Sequence, residues 1–190
     1  SSKVKVALSG DGGDELFCGY NRYSQGYRLY KILNRLPNKL RKIFSKSLKS
    51  FNPLFIDKFM TLMPRKYNYR AVGDRLNKLA DVINYSKDFE FYKFLISNFK
   101  SPEDYLISGE ETKNLLSEPN SWPETNDFRE LMMYLDMKTY LPDDILTKVD
   151  RATMANSLEA RVPFLDHQLV EWVWSLPLEL KLRDGKSKWI

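Results

Sequence analysis

The sequence predicts a mostly helical chain opened by one short strand, and three observations carry that reading. Apolar residues recur at helical spacing almost everywhere after residue 14. The strand-like run Val4-Lys5-Val6-Ala7-Leu8 ends abruptly in Ser9-Gly10-Asp11-Gly12-Gly13, which is too rich in glycine to extend a strand. The composition, 43% hydrophobic and 29% charged with 11 Tyr, 11 Phe and 4 Trp in 190 residues, supplies a core and excludes disorder of the whole chain.

Asp14 stands where a helix N-cap belongs. Leu16, Phe17, Tyr20, Tyr23, Tyr27 and Tyr30 then predict a helix running to about Leu36, where Pro37 ends it. The tyrosines read as core and rim. Residues 38–51 form a basic amphipathic segment with Leu40, Ile43, Phe44, Leu48 and Phe51 on one stripe. Pro53 and Pro64 punctuate the next piece, and helical patterns follow at about 68–83 and 87–99. Ser101-Pro102 opens an acidic stretch, and residues 117–126 read as a loop. Helical periodicity returns over 127–140, 143–157 and 166–176, the last capped by Asp166. A strand cannot make a sheet alone, because its ladder groups would be unpaired. Residues 4–8 are therefore expected to pair with strands that this chain lacks.

The net charge of +5 is unevenly placed: residues 22–100 hold 18 Lys and Arg against 5 Asp and Glu, whereas residues 101–190 hold 10 against 17. Such a basic segment can attract an anionic partner, but solvated helix faces explain it as well. No recognised nucleic-acid motif accompanies it. Cys18 is the only cysteine and His167 the only histidine, which excludes an internal disulfide and a Cys/His zinc site built from this chain alone. That usage suits the cytoplasm. No run approaches a membrane span, and the first residues do not read as a signal peptide. His167 reads as a polar residue at a helix start, and Trp172 and Trp174 as packing residues.

Three segments carry chemistry. In Ser9-Gly10-Asp11-Gly12-Gly13-Asp14-Glu15-Leu16-Phe17 a strand runs through a glycine turn into a helix, a geometry that lets a ligand approach the backbone. Asp11, Asp14 and Glu15 would repel phosphate unless a cation lay between, and carboxylates with phosphate oxygens are what Mg²⁺ prefers. A tight turn with Asp14 as a simple cap is the plainer alternative, because a lone glycine motif is weak. In Tyr140-Leu141-Pro142-Asp143-Asp144-Ile145-Leu146-Thr147-Lys148-Val149-Asp150-Arg151, Pro142 and Asp143 mark a helix start, and Lys148 and Arg151 share a face. Asp144 lies four before Lys148, so a surface pair explains both as readily. In Ser157-Leu158-Glu159-Ala160-Arg161-Val162-Pro163-Phe164-Leu165-Asp166, Pro163 biases Val162 away from the helical region. This segment reads as a helix, an extended link and a new helix; Arg161, two residues after Glu159, cannot pair with it along a helix face, and a structural connector with a buried ion pair is a plainer reading than catalysis.

Taken in this order and spacing, the three segments resemble the C-terminal synthetase domain of class II, glutamine-hydrolysing asparagine synthetases. The likeness is specific over about 4–23 and 131–190 and weak over 24–126, where the family varies. It implies an α/β domain of the adenine nucleotide alpha hydrolase type, also called a PP-loop ATP pyrophosphatase domain. Residues 1–190 would form a partial synthetase domain and residues 22–126 a variable basic helical insert.

The family activates aspartate with ATP and Mg²⁺ to β-aspartyl-adenylate, which ammonia released from glutamine by a separate domain converts to asparagine. The resemblance implies that Ser9 and Gly10 lie against the adenylate, that Asp11 accepts a proton near the acyl centre, and that Asp14 helps hold Mg²⁺. Asp144, Lys148, Asp150 and Arg151 are weaker candidates for the aspartate side. The family's pyrophosphate-binding loop, its glutaminase domain and a late lysine beyond Ile190 are not in the sequence. Lys186 and Lys188 precede that lysine and are not its counterparts. Synthesis by these 190 residues alone is therefore not expected. Cys18 stands where the family usually has glycine. Two alternatives share the sequence evidence. One is an amidotransferase or β-lactam synthetase-like enzyme acting on another carboxylate. The other is a helical binding module for an anionic partner, held through Lys39, Arg41, Lys42 and Lys46.

Overall fold

The structure is a computed structural model, and it describes residues 3–50, 79–83, 85, 88–97, 105, 107 and 112–190. The chain divides into two compact units, Ser1–Tyr27 with Ser101–Ile190, and Arg28–Lys100. The helical pattern expected over 68–78, the breaks at Pro53, Pro64 and Pro102, and the stripe residue Phe51 fall outside the described residues.

The first unit opens with β1 (Val6–Leu8). Contrary to expectation, β1 finds its partner within the chain: it pairs in parallel with β2 (Glu159–Arg161), Ala7 opposite Ala160. The ladder is extended by Glu159 N–H donating to the Lys5 carbonyl and Ser9 N–H donating to the Arg161 carbonyl, each at 2.8 Å. The helix ahead of β2 ends at Met154, short of the expected 157, and the chain is extended by Glu159, so Glu159–Arg161 are free to pair. In a strand, residues two apart share a face, so Arg161 Nε reaches Glu159 Oε1 at 2.7 Å. The pair is exposed, not buried as expected, with 63% and 53% of the side chains accessible.

The long helix expected after Asp14 is broken. Helix α1 spans only Gly13–Leu16, and its N-cap is Gly12 rather than Asp14, which lies inside the first turn. Cys18 has φ 57°, a left-handed conformation that costs a side-chain-bearing residue more than glycine and that stops the helix. The chain resumes as a π-helical turn, Arg22–Gly26. It continues into α2 (Tyr27–Arg35), within which the unit boundary falls.

The core of the first unit forms where α5 (Phe128–Lys138) packs against α1 and the Arg22–Gly26 turn, burying Leu16, Tyr23, Met132, Met133 and Leu135. Asp127 caps α5, accepting from Arg129 N–H at 2.8 Å. A second π-helical turn, Leu141–Leu146, leads into α6 (Thr147–Met154). A 3-10 turn, Pro163–Leu165, follows β2, and Asp166 caps α7 (His167–Ser175) as the sequence predicts, with His167 exposed at the helix start. The unit closes with α8 (Leu178–Lys181) and the antiparallel hairpin of β3 (Leu182–Arg183) and β4 (Lys186–Ser187).

The second unit contains most of α2, α3 (Asn38–Ser50) and α4 (Asp88–Ile96). Tyr30 meets Phe91 with ring centroids 5.3 Å apart, and the buried Ser45 hydroxyl donates to the Ala80 carbonyl at 2.7 Å. The stripe expected on α3 forms, but Leu40, Ile43 and Phe44 face outward while Arg41 and Ser45 are buried. Arg41 is buried and its Nε donates to the Leu36 carbonyl at 2.9 Å, whereas Lys39, Lys42 and Lys46 are exposed. No helix among the described residues is long and apolar enough to cross a membrane.

Burial pushes the Cys18 thiol up to about 12. The folded chain is therefore expected to resist iodoacetamide at pH 8, and the unfolded chain to be alkylated within minutes. Equal labelling of both by mass spectrometry would contradict this packing.

Candidate functional site

The first and third sequence motifs meet. The Ser9–Gly12 turn leaves β1 beside the 3-10 turn that leaves β2, because the two strands are neighbours in the ladder. Gly12 has φ 83°, and a Cβ there would lie 2.6 Å from Leu165 Cδ2. The Phe164 ring packs over Gly13 and meets Phe17 edge to face at 5.8 Å. Glycine is thus required at position 12 for both conformation and space.

Within the turn, the Ser9 hydroxyl donates a short hydrogen bond to Asp11 Oδ2, and Asp11 N–H donates back to Ser9 Oγ at 3.3 Å. The two side chains fix each other's orientation. Gly13 N–H donates to the Gly10 carbonyl at 3.3 Å and closes the turn. Asp14 points elsewhere, into an ion pair with Lys188 Nζ at 3.0 Å. Gly19 permits that pair: a Cβ there would lie 1.9 Å from Asp14 Oδ1 and 2.5 Å from Lys188 Cε. Gly10, Gly13, Phe17, Phe164, Trp172, Lys188 and Ile190 line an adjoining cleft of about 310 Å³. Trp172, expected to pack, is half exposed on this cleft.

Glu15, next to Asp14, faces the interior and is 1% exposed. Burial raises its pKa, against the lowering effect of the Tyr20 hydroxyl, which donates to Glu15 Oε1 at 2.8 Å. Its other oxygen has no hydrogen-bond partner among the described residues. Of the three clustered acids, Asp11 and Asp14 are therefore partly accessible and Glu15 is not.

The second motif stands apart in its bonding. Lys148 Nζ pairs with Asp144 at 2.6 Å, the i,i+4 pair that the spacing allows. Asp150 and Arg151 are exposed on α6. No hydrogen bond or ion pair among the described residues joins Asp144, Lys148, Asp150 or Arg151 to the Ser9–Asp14 turn.

Lys188 is the site residue that sequence reasoning passed over. Its position depends on the β3–β4 hairpin, whose central Asp184 and Gly185 have φ 50° and 79°. An Asp-Gly pair between short strands is a strong hairpin signal and would have found it. Lys188 N–H then donates to the Phe17 carbonyl at 3.0 Å, and this bond brings the ammonium to Asp14.

No group of three or more His, Cys, Asp or Glu residues among the described residues could hold a metal ion. Asp14 is nevertheless a carboxylate of the type that could serve a Mg²⁺ ion that takes one or two protein ligands and completes its shell with water and phosphate. The Asp14 side chain is 37% accessible, so its carboxylate is reached from solvent.

The Asparagine synthase family profile matches residues 1–190. The chain belongs to this family. It is 35% identical over 98% of its length to an asparagine synthetase [glutamine-hydrolyzing] 1 of Bacillus subtilis, and covers 27% of that protein. It is 31% identical over 98% of its length to a putative asparagine synthetase [glutamine-hydrolyzing] of Mycobacterium tuberculosis, covering 26% of it. A further relative, 26% identical over 95% of the chain and covered to 27%, is the amidase chyE of Penicillium rubens. The chain thus spans about a quarter of the length of these relatives. No solved structure matches it significantly.

Two substitutions test the turn. Gly12→Ala is expected to lower stability by about 2 kcal/mol in urea unfolding, from combined strain and overpacking. An unchanged midpoint would remove the Gly12–Leu165 contact from the account. Gly19→Ala is expected to displace the Asp14 carboxylate and break its ion pair with Lys188, with a smaller loss of stability than Gly12→Ala in the same unfolding measurement; an equal loss would contradict it.

Proposed function

We propose that the chain is part of an ATP-dependent synthetase domain that activates a carboxylic acid, aspartate in the first instance, as its adenylate. The domain would be of the α/β adenine nucleotide alpha hydrolase type, with ammonia supplied from glutamine by another part of the protein. The observation that carries the reading is the meeting of the Ser9–Asp14 turn and the Pro163–Leu165 turn around one cleft, with Asp14 and Lys188 beside it. Membership of the Asparagine synthase family supports it.

In this proposal the acid's carboxylate oxygen attacks the α-phosphorus of ATP and pyrophosphate leaves with the electrons of the broken P–O bond. Ammonia then attacks the acyl carbon and AMP leaves. Ser9 and Gly10 lie along the adenylate, where the bare Gly10 backbone permits close approach. Asp11, held by the Ser9 hydroxyl, takes the proton that the attacking nitrogen sheds. Asp14 would hold Mg²⁺, which offsets the charge of the leaving pyrophosphate. Lys188, released from Asp14, remains beside the cleft as a compensating positive charge. Asp144, Lys148, Asp150 and Arg151 are proposed for the acyl-substrate side. The domain assignment for 1–190, with 22–126 as a variable basic insert, belongs to the same proposal.

Titration calorimetry with ATP and Mg²⁺ is expected to give heat that falls at least about tenfold in affinity on Asp14→Ala. Exchange of labelled pyrophosphate into ATP by the intact protein, dependent on aspartate, tests the activation step. Exchange supported only by a different acid would redirect the substrate towards chemistry of the amidase-like relatives. Unaltered binding by Asp14→Ala would sink the metal assignment.

A further inference from the structure

Among the described residues no hydrogen bond or ion pair joins the Ser9–Asp14 turn to the segment bearing Asp144, yet a second cluster touches neighbours of both. Asp136 on α5 is fully buried and accepts from Arg22 Nε at 2.7 Å and, through the same oxygen, from the Tyr23 hydroxyl. The Arg22 guanidinium sits in the angle made by two rings, 4.2 Å from the Tyr20 centroid and 4.8 Å from the Tyr140 centroid. Those rings meet edge to face at 5.9 Å. Tyr20 in turn donates to buried Glu15, the neighbour of Asp14. Tyr140 is the N-cap of the Leu141–Leu146 turn, and Asp144 follows four residues later.

We propose that Arg22 is a positioning residue that clamps the helix carrying Asp14 and the π-helical turn carrying Asp144 into one frame, so that nucleotide and acyl substrate are held at a set distance. The inference rests on the function proposed above. Two features set the cluster apart from an ordinary buried ion pair. Arg22 opens one π-helical turn and Tyr140 precedes the other, and π turns inside helices recur at functional sites. The clamp also needs a planar, delocalised cation: a guanidinium can hydrogen-bond Asp136 through Nε while it still touches both the Tyr20 and the Tyr140 ring, whereas a compact, strongly hydrated ammonium held at Asp136 does not reach both. Arg22→Lys therefore keeps the charge beside Asp136 and removes the clamp.

The test uses the intact protein with Arg22→Lys, Tyr140→Leu and the double variant. Hydrogen exchange followed by mass spectrometry is expected to show faster exchange in residues 9–16 and 141–150 together in each single variant, with the thermal midpoint little moved. Pyrophosphate exchange is expected to lose about tenfold or more in kcat, with KM for ATP held within about twofold, as misplacement of reacting groups requires. The double variant should be no worse than the poorer single one. Exchange changes confined to residues 20–26, or additive losses of kcat, would overturn the clamp. Should Arg22→Lys not fold, Tyr140→Leu carries the same comparison. Should wild type lack pyrophosphate exchange with every acid tried, the synthetase reading fails, while the hydrogen-exchange arm still decides whether Arg22 couples the two segments.

Discussion

The first unit depends on one close approach, that of Leu165 and Phe164 to a backbone stripped of side chains. With φ 83° and no room for a Cβ, Gly12 lets the turn after β1 lie flat against the turn after β2. The parallel pairing of β1 with β2 sets the two turns side by side, and the glycines let them touch. Neither device works alone. A ladder of three residues is too short to hold two chain segments without help, and apolar side chains packed over glycine supply it. The consequence is a cleft whose floor is backbone and whose walls are aromatic, next to two carboxylates.

Charge is distributed around this cleft by accessibility. Asp11 and Asp14 reach solvent and are each held, one by a hydroxyl and one by an ammonium. Glu15 and Asp136 are buried and answer to tyrosine hydroxyls and to Arg22. A buried carboxylate left without such partners would cost several kcal/mol, so Arg22 and Tyr23 tie the π-helical turn to α5 through Asp136, Tyr20 satisfies Glu15, and the outer pair stays partly accessible. The four-residue helix α1 contributes to both pairs because consecutive residues, Asp14 and Glu15, point to different sides of it.

The second unit shows how tertiary packing overrides amphipathic pattern. On α3 the apolar residues Leu40, Ile43 and Phe44 are outward and the polar Arg41 and Ser45 inward, each of the latter bonded to a backbone carbonyl. A stripe of apolar residues establishes that a helix has two faces; it does not state which face meets the rest of the unit. Basic side chains on such a helix are likewise not equivalent, since Arg41 is used internally and Lys39, Lys42 and Lys46 remain at the surface.

Local chemistry was legible in the sequence. Helices over 38–50, 128–138 and 167–175, the Asp166 cap, the glycine turn and the family likeness all follow from residue type and short-range spacing. Relations between distant residues were not. The partner of β1 lies some 150 residues away and is announced only by the residue before Pro163, so a strand that looked orphaned is paired. The helix break at Cys18 depends on a left-handed φ that a buried cysteine adopts under the packing around it. Lys188 reaches Asp14, and Arg22 reaches Asp136 and Tyr140, across separations for which periodicity carries no information. Sequence by itself determined the family likeness, the glycine turn and most of the helices; tertiary structure decided where the helix after Asp14 breaks, which strand pairs with β1, and which polar side chains face the cleft and which are buried, because backbone pairing and side-chain volume act between segments that the chain order does not make neighbours.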